Sequence, residues 1–353
     1  MIVQDTFFFL RMSSSAILHG LTFVFGGCCT NVLSLESLIK KKDSDIGIFI
    51  TFIQFCFISL TLLPKFITFQ NSFPRFKPLH VPIKIYLLSV ILFYISSYMN
   101  NIVFKYHISI PLHIVFRCFS VVITMIISWL INNKKYNNLQ ILSAIILTIG
   151  AIITSLYRDH DFKLDDLSSV FNTNSINDKN YTNDPIFIMG LIILIISSLS
   201  SSLLSVYNEW TFKKYGKNWE ENLFYTHFLS LPIFLIKDYE SIRDEFNQMI
   251  QFESVMTRNH IMLIVNIITQ NICIRGVNIL ASYTNALTLS VILTARKFIS
   301  LLLSVIIYDS HLSITSYIGV IIVFIGTLLY TIGSRIEKGT KHCENEILEK
   351  KNI

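Results

Sequence analysis

The sequence predicts an all-α polytopic membrane protein with ten transmembrane helices arranged as two inverted five-helix repeats. Three observations carry this. Hydrophobic residues make up 52% of the 353 and charged residues only 15%, and the mean hydropathy is +0.56; these values belong to a chain largely surrounded by lipid. A spanning helix needs about 20 mainly apolar residues, and ten such stretches follow one another. Finally, the chain resembles itself: ILTIGAIITSLYR (146–158) is similar to VFIGTLLYTIGSR (323–335), at an offset of about 176. Each copy closes a pair of helices joined by a short polar turn, Asn132 and Asn133 in one and Asp309 and Ser310 in the other. If each copy holds five helices, an odd number, the second enters the membrane upside down relative to the first. A duplication of helix pairs alone is the competing explanation.

The first repeat spans 15–157, with apolar stretches at 15–39, 46–69, 82–106, 110–131 and 138–157. A tail, 1–14, precedes it. That tail lacks the charged region, short apolar core and cleavage site of a signal peptide, so the first helix is expected to serve as its own anchor. The second repeat spans 185–333, with stretches at 185–208, 222–237, 259–281, 284–308 and 313–333; the stretch at 222–237 is short and carries His227. A loop, 158–184, joins the repeats and a tail, 334–353, follows. Connections rich in Lys and Arg face the cytosol. The second connection holds Lys65, Arg75, Lys77 and Lys84, and the fourth Lys134 and Lys135, whereas 158–184 carries six Asp and 238–258 five acids. Both termini are therefore expected in the cytosol and 158–184 in the lumen. Lys40, Lys41 and Lys42 run against this assignment, and the sixth connection is neutral.

Lys350 and Lys351 stand fourth and third from the C-terminus, in KKNI. The pattern resembles the dilysine signal read by the cytosolic coat that returns proteins to the endoplasmic reticulum; a solvated basic tail is the plainer explanation. Asn180-Tyr181-Thr182 is a glycosylation sequon in the loop expected to be lumenal. Five of six cysteines (Cys28, Cys29, Cys56, Cys118, Cys273) fall in expected spans and Cys343 in the tail, so they are expected to be small packing residues without a disulfide framework. No metal-ligand spacing, phosphate loop, nucleophile elbow or paired-carboxylate site stands out. Catalysis, a cofactor, a metal and a nucleic-acid partner are accordingly not expected. Small residues on many helix faces leave room for a homodimer without specifying one.

Polar side chains inside the spans are the candidates for function. Arg296 and Lys297 interrupt a stretch otherwise uncharged from Gly276 to Tyr308; a cation near mid-membrane costs about 2.5–3.5 kcal/mol and normally faces water, a partner or an anion. Ser290, Thr294, Lys297 and Ser304 recur on one side of the ninth span, and His113, Arg117, Ser120, Thr124 and Ser128 on one side of the fourth. The two stripes are expected to face each other across a cavity. Arg296 points about 100° away from Lys297. Helix packing seams account for the hydroxyls alone, and snorkelling is the alternative for the cations; Arg275 in particular is placed to reach headgroups. Ser96, Ser97, Asn100 and Asn101 in the third span, Tyr225 and His227 in the seventh, and Asn266, Gln270, Asn271 and Asn278 in the eighth complete the polar set. Cations, amides and an aromatic ring together suit an anionic ligand bearing a base and many hydroxyls, for which a nucleotide sugar, a sugar phosphate and another anionic metabolite all qualify.

Longer blocks narrow this. GGCCTNV (26–32), NNIVFKYHISIPLHIVFR (100–117), NEWTFKKYGKNWEENLFYTHFLSLP (208–232), NIITQNICIRGVNILASYTNALTLS (266–290) and ARKFISLLLSV (295–305) resemble nucleotide-sugar transporters of the drug/metabolite transporter superfamily. The similarity extends over nearly the whole chain and is greatest to UDP-N-acetylglucosamine transporters of the endoplasmic reticulum and Golgi. It implies ten helices, cytosolic termini, and exchange of a cytosolic nucleotide sugar for lumenal nucleoside monophosphate. GDP-mannose transporters of this family use FYNN toward guanine and GALNK toward sugar and phosphates. Phe224, Tyr225, Thr226 and His227 stand at the first motif and Leu293, Thr294, Ala295, Arg296 and Lys297 at the second. Tyr225 and Lys297 carry over, whereas Thr226 and His227 replace both asparagines, which argues against guanine and fits a uridine nucleotide. The resemblance thus implies import of UDP-N-acetylglucosamine against UMP, for lumenal glycosylation or chitin-related synthesis. The expected site comprises Lys297, Arg117, Tyr225, Arg296, Asn100, Asn101, His227, Thr294 and Asn271. Another UDP-sugar such as UDP-xylose or UDP-glucose, or a non-transporting scaffold for glycosyltransferases, stands as the alternative.

Overall fold

The computed structural model describes residues 14–39, 46–70, 73–106, 118–157, 185–251, 258–308 and 312–351. Away from water each backbone N–H and C=O must be satisfied internally, and in an unbranched segment only a helix achieves that. The apolar runs accordingly form α1 (Ser14–Leu38), α2 (Ile46–Phe66), α3 (Ile83–Ile102), α4 (Ser120–Asn132), α5 (Asn138–Leu156), α6 (Pro185–Tyr215), α7 (Trp219–Lys237), α9 (Arg258–Tyr283), α10 (Ala286–Tyr308) and α11 (Ile314–Lys351), with a polar helix, α8 (Tyr239–Gln251), between α7 and α9. Seven of the described helices, α1, α2, α5, α6, α9, α10 and α11, contain stretches long and apolar enough to cross a membrane; Ile83–Ser96 and Ser120–Asn132 are shorter apolar helices. The chain is a polytopic membrane protein.

Four details differ from the sequence expectation. The second span ends at Phe66, and Ile67–Gln70 pairs antiparallel with Phe73–Phe76 as β1 and β2, Thr68 opposite Arg75 and Phe69 opposite Pro74. Alternating β-branched and aromatic residues next to Pro64 favour that change of period. The connection 238–258 contains α8, whose Tyr239, Ile242 and Phe246 share one face. The C-terminal tail continues α11 without a break to Lys351; its 38 residues span about 57 Å, well beyond the hydrocarbon thickness. Finally, Cys28 and Cys273 are not mere packing residues but form a disulfide 245 residues apart in sequence. Spacing gave no hint of it, because the partners lie in the middle of two different spans.

The chain divides into two compact units, one made of 1–94, 204–289 and 299–304, the other of 95–203, 290–298 and 305–353. In the first, α1 lies against α9 at close range. A Cβ on Gly276 would come within 2.7 Å of Phe23 Cβ, and one on Gly27 within 2.8 Å of the Cys273 backbone nitrogen, so glycine is required for the approach that the disulfide then locks. The same seam holds a polar knot. Asn266, with 0% exposure, donates to the Asn31 carbonyl at 3.1 Å and to Ser34 Oγ at 3.0 Å, while its Oδ1 accepts from Gln54 Nε2 at 2.6 Å. Asn31 Nδ2 donates in return to the Asn266 carbonyl at 2.9 Å. Asn266, grouped from sequence with the pocket amides, is thereby committed to joining α1, α2 and α9.

In the second unit α5 and α11 run antiparallel along almost their full apolar length. Gly319, Gly326 and Gly333 recur every seven residues on α11 and meet Thr154, Leu147 and Gln140 in turn, while Gly150 meets Val323. These are the segments that resemble each other in sequence. Their ends are pinned by polar contacts: Ser316 Oγ donates to the Thr154 carbonyl at 3.0 Å, Ser313 Oγ to the Tyr157 carbonyl, and Asn137 Nδ2 to the Gly333 carbonyl at 3.0 Å. Asn137 also caps α5 in a reciprocal box with Gln140. The preceding turn needs Asn133 at φ 48°, a left-handed conformation that asparagine tolerates.

Two outcomes are expected. Gly326→Leu, whose Cβ would stand 2.8 Å from the Leu147 nitrogen, lowers stability by about 3 kcal/mol or more, whereas Gly26→Ala, with nothing within 4 Å, leaves the unfolding midpoint in detergent nearly unchanged. In the denatured protein a maleimide mass tag attaches to Cys28 and Cys273 only after reduction.

Candidate functional site

The expected site residues divide between the two units. Tyr225, His227 and Asn271 belong to the first; Thr294, Arg296, Lys297, Asn100 and Asn101 belong to the second. Arg117, His113 and Asn180 lie outside the described residues, and of Asn100 and Asn101 only the helical backbone of α3 is described. Lys350 and Lys351 form the last turn of α11.

In α7, Tyr225 is only 6% exposed. Its ring stacks on Tyr86 of α3 with centroids 5.3 Å apart and planes 16° from parallel. Phe224 meets its edge at 5.0 Å, and Phe66 lies 5.9 Å away. His227 is buried against Phe55, with ring centroids 4.4 Å apart, and its Nδ1 stands 2.8 Å from the Leu223 carbonyl, which makes that nitrogen the protonated one. Thr226 Oγ1 donates to the Asn222 carbonyl at 2.6 Å. The four-residue motif thus presents a packed aromatic surface on one side of α7, with its hydroxyl turned onto the helix's own backbone.

The start of α7 is fixed by a feature sequence reasoning passed over. Glu221, 5% exposed, accepts on Oε1 from the backbone N–H of His80 at 3.0 Å, from that of Val81 at 3.2 Å and from the Tyr86 hydroxyl at 3.1 Å. Its Oε2 lies 2.7 Å from His80 Nδ1. Beside it Lys65 Nζ pairs with Glu220 at 2.6 Å. A second buried carboxylate, Glu209 of α6, accepts the N–H of Ala286 at 2.8 Å and pairs with Lys213 at 2.6 Å. It thus places a negative charge at the N-terminus of α10, where Asn285 Oδ1 also accepts from the Thr288 N–H at 2.7 Å. A charge count makes the sixth connection neutral, but the acids are consumed by specific donors. What could have signalled them is Glu-Glu directly before an aromatic helix, a pattern of N-terminal acids.

On α10, Ser290, Thr294 and Lys297 occupy one side in the second unit. Ser290 Oγ donates to Thr124 Oγ1 of α4 at 3.4 Å, so hydroxyls of the two sequence-predicted stripes do meet. Thr294 Oγ1 donates to the Ser290 carbonyl at 2.8 Å and is buried. Lys297 is exposed and Arg296 half-buried. Ser304, further along, belongs to the first unit, where it donates to Glu36 Oε2 of α1 at 2.6 Å. Among the described residues no cluster of His, Cys, Asp and Glu could hold a metal ion. In α9, Arg275 donates from Nε to Asn271 Oδ1 at 3.0 Å, and Asn222 Nδ2 of α7 donates to Asn278 Oδ1 at 3.0 Å.

Removal of the Glu221 carboxylate leaves two backbone donors and the Tyr86 hydroxyl without an acceptor. Glu221→Ala is expected to lower unfolding free energy by about 3 kcal/mol, with Glu221→Gln milder because one acceptor oxygen stays; thermal unfolding in detergent measures both.

The UAA transporter family matches residues 16–334. The UDP-N-acetylglucosamine transporter YEA4 of Saccharomyces cerevisiae is 50% identical over 328 residues, covering 90% of this chain and 94% of that protein. Its counterpart in Kluyveromyces lactis is 47% identical, covering 89% and 96%. A UDP-xylose and UDP-N-acetylglucosamine transporter of Danio rerio is 31% identical, covering 89% and 93%. A solved crystal structure shares the fold at a TM-score of 0.62 and 14% identity, covering 92% of this chain and 99% of its own. With a family match over 16–334 and 50% identity to a relative along 90% of its length, the chain belongs to the UAA transporter family of nucleotide-sugar transporters and is not an enzyme.

Proposed function

We propose that this protein is an antiporter that brings UDP-N-acetylglucosamine into the lumen of the endoplasmic reticulum or Golgi and takes UMP out. The observation that carries the reading is the 50% identity to a UDP-N-acetylglucosamine transporter along nine-tenths of the chain. Lys297, exposed on α10 at the phosphate-side motif, is the proposed phosphate ligand together with Arg117. Tyr225 serves the base, and Arg296, Thr294, Asn100, Asn101, His227 and Asn271 complete the proposed binding set. A ligand moves a carrier between states only by binding those states differently, and charge pairing with phosphate supplies that difference. UDP-xylose is the second reading, favoured by the dual specificity named for the zebrafish relative.

The ten-helix reading, as two inverted five-helix repeats, draws support from the first unit. Lys65 with Glu220 and His80 with Glu221 tie the connection after α2 to the one before α7. Glu209 with Ala286, and Lys217 over the Tyr283 ring at 3.9 Å, bring the junction of α9 and α10 to the same end. Connections at one end must be separated by an even number of crossings. Between the first two lie α3, α4, α5 and α6; since α5 and α6 are long enough to cross, α3 and α4 either both cross or neither does. Counting both gives ten helices. The same basic end, carrying Lys65, Lys213 and Lys217, is the proposed cytosolic face, with both termini on that side, Asn180 in the lumen and Lys350 and Lys351 available to the retrieval coat.

In proteoliposomes preloaded with UMP, wild-type protein should take up UDP-N-acetylglucosamine, with trans-stimulation that a scaffold lacks. Lys297→Ala should reduce exchange at least about a hundredfold while the protein still folds; unchanged exchange sinks the assignment, and competition across unlabelled UDP-sugars ranks the substrates.

A further inference from the structure

We infer that Arg275 is a phosphate-recognising group of the first unit, a ligand contact additional to the motif positions on α7 and α10. The inference rests on the transporter reading and needs nothing from the second unit. Arg275 lies in the interior of α9, eight residues before its last residue, Tyr283. At 1.5 Å per residue that is about 12 Å from the helix end. Helical side chains lean toward the N-terminus, and the Arg275 bond to Asn271, one turn earlier, shows that this guanidinium does so. It therefore leans away from the nearer membrane face, and snorkelling to the headgroups is the wrong geometry.

Its partners are also insufficient for a structural role. Among the described residues Arg275 makes a single hydrogen bond, from Nε, and no ion pair. The four N–H groups of its terminal nitrogens are left over, in the planar fork that matches two oxygens of a phosphate. The surroundings suit such a ligand. Asn271, Arg275, Asn278 and Ser282 recur at spacings of four, three and four, so they form one stripe. That stripe lies roughly opposite the face carrying Asn266, Cys273, Gly276 and Leu280, of which Asn266, Cys273 and Gly276 meet α1. Asn278, one turn along the same stripe, is held by Asn222 of α7, which stands next in sequence to the anchored Glu221. A guanidinium fork bonded to one amide, with no ion pair to a carboxylate among the described residues, is chemistry for a phosphoryl oxyanion.

Two sources offer that oxyanion, a nucleotide and a lipid headgroup, and the depth of Arg275 favours the nucleotide. The test uses the full chain in phosphatidylcholine nanodiscs, with unfolding midpoints recorded against UMP, UDP, UDP-N-acetylglucosamine and uridine, and separately with phosphatidylinositol added to the lipid. Phosphorylated ligands should stabilise the wild type and uridine should do so weakly. Arg275→Gln should raise the apparent Kd for the phosphorylated ligands about tenfold or more, leave the response to uridine and the unliganded midpoint unchanged, and be partly rescued by Arg275→Lys. Asn278→Asp, which sets a carboxylate one turn away without truncating the arginine, should weaken UMP binding in the same sense and serves if the glutamine variant does not fold. Wild-type affinity for UMP and UDP in Arg275→Gln or in Asn278→Asp overturns the inference while leaving the transport reading intact, as does an Arg275-dependent response to phosphatidylinositol alone. A wild-type protein that neither binds nor exchanges any nucleotide overturns both.

Discussion

Inside a bilayer there is no water to satisfy a polar group, so each amide, carboxylate and guanidinium in a span is either paired within the protein or kept for a ligand. That constraint sorts the polar residues of this chain more cleanly than their identity does. Asn266, Glu209 and Glu221 are buried; Asn266 and Glu221 are each held by several groups from other segments, and Glu209 accepts the Ala286 N–H of α10 while pairing with Lys213 of its own helix. Their role is to hold helices in register. Arg275, half-buried in the interior of α9, makes one hydrogen bond among the described residues although its guanidinium carries five donors.

The close helix contacts follow from the same absence of water. Lipid tails are as apolar as leucine, so helices associate through close fit rather than through burial of apolar surface. Gly319 and Gly326 on α11 and the pair Gly27 and Gly276 between α1 and α9 give a close approach where a Cβ would collide, and Gly333 adds a tight contact one heptad further on. Each seam then gains a fixing element that fit alone does not supply: a disulfide and an amide knot in one, capping and hydroxyl contacts in the other.

Most spans were legible because hydropathy is a property of single segments; in-span charge pointed only to an anionic ligand, and the resemblance to nucleotide-sugar transporters implied the narrower class. Helix positions agree to within a few residues for most of the chain, and the self-similar segments prove to be the two sides of one seam. The hairpin at Ile67–Phe76 was missed because an apolar strand and the end of an apolar helix look alike over four residues. Cys28 with Cys273, and Glu221 with His80 and Tyr86, were missed for a different reason: each joins residues more than a hundred positions apart, and only the packing of the intervening helices decides that they meet. Ser290 and Thr124 lie on regular stripes whose phase survives into the fold, and there the stripes meet in a direct hydroxyl contact rather than across a cavity.

The burial of Tyr225 shapes how this site would treat a base. One face of its ring is occupied by Tyr86, and Tyr86 is in turn held by the Glu221 carboxylate at 3.1 Å. A uracil stacking on that face must displace Tyr86, exchanging one aromatic contact for another of similar size, about 0.5–1.5 kcal/mol each way. The difference then lies in the hydrogen bond from Tyr86 to a charged acceptor, about 1.5–3 kcal/mol, which the base cannot replace by stacking alone. Base binding at Tyr225 in this arrangement is therefore unfavourable unless the start of α3 shifts relative to α7, carrying His80, Val81 and Tyr86 away from Glu221. Those residues sit at the end of the unit where the basic connections gather. On the proposed reading, the Glu221 carboxylate that holds His80, Val81 and Tyr86 in the described state is therefore the group that a base stacking on Tyr225 would have to make release Tyr86.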